Sequence, residues 1–214
     1  MNRPLNFNKI LVLSPHTDDG ELGAGGTIAR FINEGKEVYY FVFSICESSV
    51  PKELPKDILK TECLNSLKVL SILPERIQIK QYEVRTFPEH RQEILEDLIE
   101  FKNHNAPDLV LVPSSNDVHQ DHTVIYWEAL RAFKRDSSIW GYEHPWNNLT
   151  FANDIFIGLN EEHLVAKIKA LNEYRSQQDH VYMDEKNIRS LTVTRGAQIN
   201  KPYAEAFELI RLIY

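Results

Sequence analysis

The sequence predicts an α/β fold, a mostly parallel sheet with helices on both faces. Two observations carry this. Several short segments are apolar throughout instead of alternating, which marks strands buried on both faces. Segments with helical spacing separate them, and such segments are the crossovers that parallel strands require. A third observation bears on function. The two loops richest in histidine and aspartate both follow such strands, at the end where an open α/β sheet keeps its ligands.

The elements follow in order. Residues 9–13, Lys9-Ile10-Leu11-Val12-Leu13, form a short apolar strand that ends at Ser14-Pro15. A helical segment runs over 25–31. Residues 38–43, Val38-Tyr39-Tyr40-Phe41-Val42-Phe43, are β-branched or aromatic and read as a buried strand. Residues 57–70 have helical spacing, with Ile58, Leu64, Leu67 and Leu70 apolar. A strand is expected over 76–82, then a helix over 90–101 with Ile94, Leu95, Leu98 and Ile99 on one face. Residues 108–113 form another continuous apolar run, and the helix after His122 carries Val124, Ile125, Ala129, Leu130 and Phe133. Ser138-Ile139-Trp140 is strand-like, and 153–159 is a further strand. Helices are expected over 161–175 and 203–213.

Length and composition bound the function. The 214 residues suit a single domain, 1–214, with an ordinary core. Acidic residues outnumber basic ones, 31 to 24, for a formal net charge of −7. That balance argues against affinity drawn from nucleic-acid phosphates or anionic lipid. Nowhere does an apolar run approach the roughly 18 residues of a membrane span, and Met1-Asn2-Arg3-Pro4-Leu5-Asn6 lacks the apolar core of a signal peptide. Cys46 and Cys63 are too few for a disulfide scaffold and read as reduced, so a cytoplasmic location is expected.

The chemistry lies in two loops. The first reads Ser14-Pro15-His16-Thr17-Asp18-Asp19-Gly20-Glu21, and the second reads Asp117-Val118-His119-Gln120-Asp121-His122. His16 and Asp19 stand three apart, as do His119 and His122, so one turn can aim each pair at one point. A catalytic zinc site needs about three protein ligands and an open position. A mixed histidine and aspartate set suits zinc, or another divalent ion. A hydrolase also needs a base for water and a donor for the oxyanion. Asp18 and Asp19 point different ways, so one can bind metal while the other touches the water. His119 can reach the far side of a reacting carbonyl, and Asp121 can orient a neighbouring imidazole. Gly23-Ala24-Gly25-Gly26 is no dinucleotide fingerprint, because Ile28 occupies the third glycine position. Close approach around a metal site explains these glycines at least as well.

These motifs, Pro15-His16-Thr17-Asp18-Asp19 with Gly23-Ala24-Gly25-Gly26 and His119-Gln120-Asp121-His122, resemble the signatures of the PIG-L (LmbE-like) family. Lys169-Ala170-Leu171 with Ser176-Gln177, and Arg195-Gly196 with Tyr203-Ala204-Glu205-Ala206-Phe207, resemble its weaker C-terminal blocks. The resemblance implies a Rossmann-like fold and zinc-dependent N-deacetylation. It implies His16, Asp19 and His122 as metal ligands and Asp18 as general base. His119 would stabilise the oxyanion or act as general acid, with Asp121 supporting the histidines. The chain departs from the usual His-Pro-Asp-Asp-Glu at Thr17 and Gly20, and Glu21 is a candidate to compensate for Gly20.

Tyr142 and His144, in a run of polar and aromatic groups that continues to Trp146 and Asn147, are candidates for a substrate wall, since aromatic faces suit sugar rings. Arg195 is a candidate for a substrate hydroxyl or phosphate. The expected function is removal of an acetyl group from a small N-acetylated amino sugar or glycoside by a Zn²⁺-dependent hydrolase. Two alternatives stay open. One is a zinc amidase acting on a non-acetyl amide such as a thiol conjugate. The other is a sugar- or nucleotide-binding module without turnover. Neither a nucleic-acid partner nor an integral membrane segment is expected, and a homo-oligomer remains compatible with the sequence.

Overall fold

A computed structural model describes residues 7–213. Met1–Asn6, read above for a leader, lie outside the described residues. The chain runs β1 (Lys9–Ser14), α1 (Asp19–Asn33), β2 (Glu37–Val42), α2 (Ile58–Val69), β3 (Ile77–Ile79), α3 (Arg91–Asn105), β4 (Leu109–Pro113), α4 (Gln120–Phe133), β5 (Ser138–Tyr142), β6 (Ile155–Leu159), α5 (Glu161–Leu171), α6 (Glu185–Gln198) and β7 (Tyr203–Arg211). One sheet takes the order β3-β2-β1-β4-β5-β7-β6. The pairs β1–β2, β1–β4, β2–β3 and β4–β5 are parallel, while β7 runs antiparallel between β5 and β6.

The continuous apolar strands do what their composition requires: successive side chains enter two different cores. Ile10, Val12, Tyr40 and Leu111 face α1, α2 and α5, together with Ile28, Leu67 and Leu164. Leu11, Leu13, Phe41, Phe43 and Val110 face α3 and α4, with Leu98, Ile125 and Phe133. The order of the strands places the ends of β1 and β4 side by side at the centre of the sheet. Among the described residues, no helix is long and apolar enough to cross a membrane.

Three expectations need correction, and one helix was not foreseen. Residues 203–211 form β7, not a helix. Ala, Glu and Leu are good helix formers, but pairing with a strand on each side overrides that weak preference. The first helix starts at Asp19, not Gly25, so Gly20, Gly23, Gly25 and Gly26 all lie inside it. The strand expected over 76–82 is only Ile77–Ile79. Helix α6 was not anticipated, because few of its side chains are buried and no apolar stripe marks it.

The glycines in α1 have a packing cause. A Cβ on Gly20 would stand 2.3 Å from the Tyr40 hydroxyl, and one on Gly23 would stand 2.4 Å from the Tyr142 ring. Tyr40 is fully buried and its hydroxyl is bonded to Ser14 and Glu21, so it cannot swing aside cheaply. The gain in helix propensity from Gly20→Ala is therefore outweighed by overpacking. The variant should lose about 1–3 kcal/mol, read as a fall of roughly 2–12 °C in Tm by calorimetry. An unchanged or raised Tm would show that Tyr40 yields.

Candidate metal centre and active site

Loop 15–18 leaves β1, and Asp19 opens α1. Loop 114–119 leaves β4, and His119 caps α4, its Nδ1 accepting from the Asp121 backbone N–H at 3.2 Å. Both loops emerge at the centre of the sheet, so residues about a hundred apart in sequence meet.

Three ligand atoms form a small triangle. His16 Nδ1 lies 3.2 Å from Asp19 Oδ2, His122 Nε2 lies 3.1 Å from the same oxygen, and the two nitrogens are 3.3 Å apart. Bonds of about 2.0–2.1 Å at tetrahedral angles have edges of about 3.3 Å, so these atoms suit one zinc-sized divalent ion. The far side of each ring is anchored. His16 Nε2 faces Asp121 Oδ2 at 3.0 Å, and His122 Nδ1 faces Asp117 Oδ2 at 2.7 Å. Each imidazole then carries a proton toward its carboxylate and a lone pair into the triangle, the usual support of metal-ligating histidines. Asp121 also accepts from the Arg85 N–H at 2.6 Å, and Asp117 from the His119 N–H at 2.9 Å.

The electrostatics are those of a cation site. Burial alone would lower the His16 imidazole, but Asp19 and Asp121 outweigh it and raise it to about 10. Burial likewise opposes protonation of His122, and Asp19 and Asp117 raise it to about 9. Asp19 and Asp117 are held well below the usual carboxylate range despite burial, each by the histidines it contacts. The site thus attracts positive charge at its centre, which a divalent ion would supply in place of the protons.

Two expected groups flank the triangle. Asp18 precedes α1 and is partly exposed, unlike buried Asp19, and its side chain makes no cap bond to the helix. Burial and the neighbouring Asp19 charge push its carboxyl up to about 6. The His119 ring centroid lies 4.9 Å from that of His16 and 4.7 Å from that of His122. Burial, with His122 and His16 close by, lowers His119 to about 4, so it is neutral near pH 7. Its Nδ1 accepts a backbone bond, so its proton sits on Nε2, available to donate.

The three candidate substrate residues stand elsewhere. Tyr142 is buried and donates to the Leu13 carbonyl at 2.8 Å. His144 is fully buried behind Asp19, with Nε2 3.0 Å from the Asp19 carbonyl oxygen. Its Nδ1 lies 3.5 Å from Asp117 Oδ2 and has no hydrogen-bond partner among the described residues. Arg195 is engaged by both carboxylate oxygens of Glu143, with Nε donating to Oε2 at 2.9 Å. Tyr142 and His144 pack behind the site, while Arg195 is held by Glu143 and Gln198. Sequence reasoning missed Asp117, whose only signal was an acidic side chain in the loop that carries His122. The Gly20 departure gains a reason: Tyr40 fills the space beside Gly20. Glu21 is buried among Tyr40, Ser66 and Tyr174, and Tyr174 also bonds the Thr17 carbonyl at 2.6 Å.

Two recesses lie near the triangle, and none of its three residues lines either. On the β2–β3 side a polar one of about 320 Å³ is lined by Ser44, Glu47, Lys56, Gln81 and Glu83. It adjoins the site through the Ser44 N–H, which donates to the Pro15 carbonyl at 3.0 Å. On the β5–α6 side an apolar one of about 490 Å³ is lined by Leu22, Trp146, Tyr182, Ile188 and Leu191.

Comparison with known proteins bears on the fold and the family. An uncharacterized deacetylase, YaiS of Escherichia coli strain K12, is 28% identical over 171 residues, covering 78% of this chain and 90% of YaiS. The N,N'-diacetylchitobiose deacetylase of Pyrococcus horikoshii superposes with a TM-score of 0.81 at 22% identity, over 96% of this chain and 84% of that one. GalB of Pseudomonas putida KT2440, a 4-carboxy-2-hydroxymuconate hydratase, superposes with a TM-score of 0.78 at 18% identity, over 97% and 98%. At such identities the superpositions establish the fold, and GalB shows that one fold carries more than one reaction. The profile of the PIG-L family, described as GlcNAc-PI de-N-acetylase, matches residues 11–133, a stretch that holds both loops and more than half of the chain. The chain therefore belongs to the PIG-L family.

Proposed function

We propose that this protein is a metal-dependent N-deacetylase acting on a small N-acetylated amino sugar or glycoside. The observation that carries the reading is the triangle of His16 Nδ1, Asp19 Oδ2 and His122 Nε2, with Asp18 and His119 beside it. Family membership and the deacetylase names of YaiS and the chitobiose enzyme support the acetamide as the bond cleaved. Zinc is the ion that two histidines and one carboxylate suit best. The two cysteines are free, which favours a reducing compartment such as the cytoplasm.

His16, Asp19 and His122 would hold the ion, which when bound would supply Lewis-acid polarisation of the amide carbonyl and of water. Asp18 accepts the proton of the attacking water as the oxygen adds to the carbonyl carbon. His119 Nε2–H donates to the oxyanion of the tetrahedral species. Asp18, now protonated, passes its proton to the leaving nitrogen as the C–N bond breaks. The products are acetate and the free amine, so water is consumed and the atoms balance. Asp117 and Asp121 keep the lone pairs of His122 and His16 turned inward throughout. The polar recess on the β2–β3 side offers hydroxyl, amide and charged groups that suit sugar hydroxyls.

The test measures metal by plasma mass spectrometry on untagged protein, then screens N-acetyl sugars for acetate and amine release. About one equivalent of zinc with stoichiometric acetate and amine is the expected result. Amine release from an amide other than acetamide would move the reading to an amidase. A protein that takes up no divalent ion would overturn it.

A further inference from the structure

The geometry points to an apolar subsite for the substrate's aglycone, in the recess between the segment after β5 and helix α6. This inference rests on the deacetylase reading. A continuous stack of rings leads from the metal centre into the recess. His144, bonded to the Asp19 carbonyl, stacks on Trp146 with centroids 4.9 Å apart and planes 16° apart. Trp146 stacks on Tyr182 at 4.5 Å and 20°, and Tyr182 on His180 at 5.0 Å and 6°. Trp146 is 44% exposed and Val181, beside Tyr182, 77% exposed. Large apolar side chains left open around a cavity next to a reaction centre mark a ligand surface. The volume, about 490 Å³, lies in the range of small-molecule sites.

The lining chooses the ligand chemistry. Among the described residues the one cationic side chain at this recess is Lys167, and its Nζ is already bonded to Glu205 Oε1 at 2.6 Å and the Leu22 carbonyl at 2.7 Å. A phosphate or carboxylate would therefore find no free charge there. The acetyl methyl is far smaller than the recess. In a 2-acetamido sugar the amide-bearing carbon lies between the anomeric carbon and the hydroxylated C3–C4 edge. With the amide at the metal centre, the hydroxyls and the aglycone diverge to opposite sides. The polar recess on the β2–β3 side suits the hydroxyls, which leaves the apolar recess to the aglycone. A net charge of −7 disfavours an anionic bilayer as the occupant.

The experiment uses methyl, butyl and octyl β-glycosides of N-acetylglucosamine with the zinc-loaded enzyme. KM should fall about tenfold or more from methyl to butyl, since each buried methylene contributes a factor of about three to four. Leu191→Asn and Val181→Ser should flatten the series. Independently, octyl β-glucoside, which has no amide, should bind in calorimetry with a negative heat-capacity change that Leu191→Asn reduces. Turnover of the methyl glycoside with a flat aglycone series overturns the subsite and leaves the deacetylase reading intact. A gain from longer N-acyl chains in place of longer aglycones overturns it as well. If no glycoside is cleaved, the deacetylase reading fails, and the calorimetric arm decides the recess alone: absence of octyl glucoside binding overturns it.

Discussion

Asp18→Asn should lower kcat by about 10²–10⁴-fold, with the bound metal unchanged. Asparagine has the shape of aspartate and no basic oxygen, so it fills the same space and cannot take a proton. The expected loss corresponds to about 3–5 kcal/mol of activation free energy. Asp18 and Asp19 differ in what the fold asks of them. Asp19 is the first helical residue, buried, with Oδ2 shared between His16 and His122. Asp18 precedes it outside the helix and keeps part of its surface open. Without metal, burial and the Asp19 charge raise its carboxyl to about 6, above the ordinary carboxylate value and toward that of a base working near neutral pH. The check pairs steady-state kinetics with metal analysis on one preparation. Retained turnover would pass the base to another group, and joint loss of metal and turnover would make Asp18 a ligand.

The parts of the molecule that were legible in the sequence are those fixed by local composition. Ile10 to Leu13, Val38 to Phe43 and Leu109 to Val112 announce buried parallel strands, because an apolar run with no polar alternation has few other uses. The two His/Asp loops stand out because both follow such strands. What was not legible depends on distant partners. Residues Tyr203 to Ile210 have helix-forming types, and their extended state comes from β5 and β6 on either side. Tyr142, His144 and Arg195 have side chains suited to a sugar, yet the Leu13 carbonyl, the Asp19 carbonyl and Glu143 claim them. Asp117 is a different case: its partner His122 stands only five residues on, yet an aspartate at that spacing carries no mark of its task. The Trp146–Tyr182 stack joins two segments that no spacing rule connects.

His122→Ala should abolish metal binding, whereas Asp117→Ala should weaken it by about 10–100-fold. The difference separates a ligand from the group that orients it. Removing the His122 ring takes away one corner of the triangle and leaves His16 and Asp19, two protein ligands where a zinc site needs about three. Removing Asp117 leaves the ring in place but frees its Nδ1 from the 2.7 Å bond, so the lone pair on Nε2 is no longer held toward the centre. Thermal unfolding reads both without any substrate. A ligand that binds only the folded state raises Tm with its concentration. Added zinc should raise the wild-type Tm at low concentrations and the Asp117→Ala Tm at concentrations about 10–100-fold higher, with no response from His122→Ala. A zinc response in His122→Ala like that of the wild type would remove His122 from the ligand set and leave His144, grouped with Asp19 and His122, to be tested in its place.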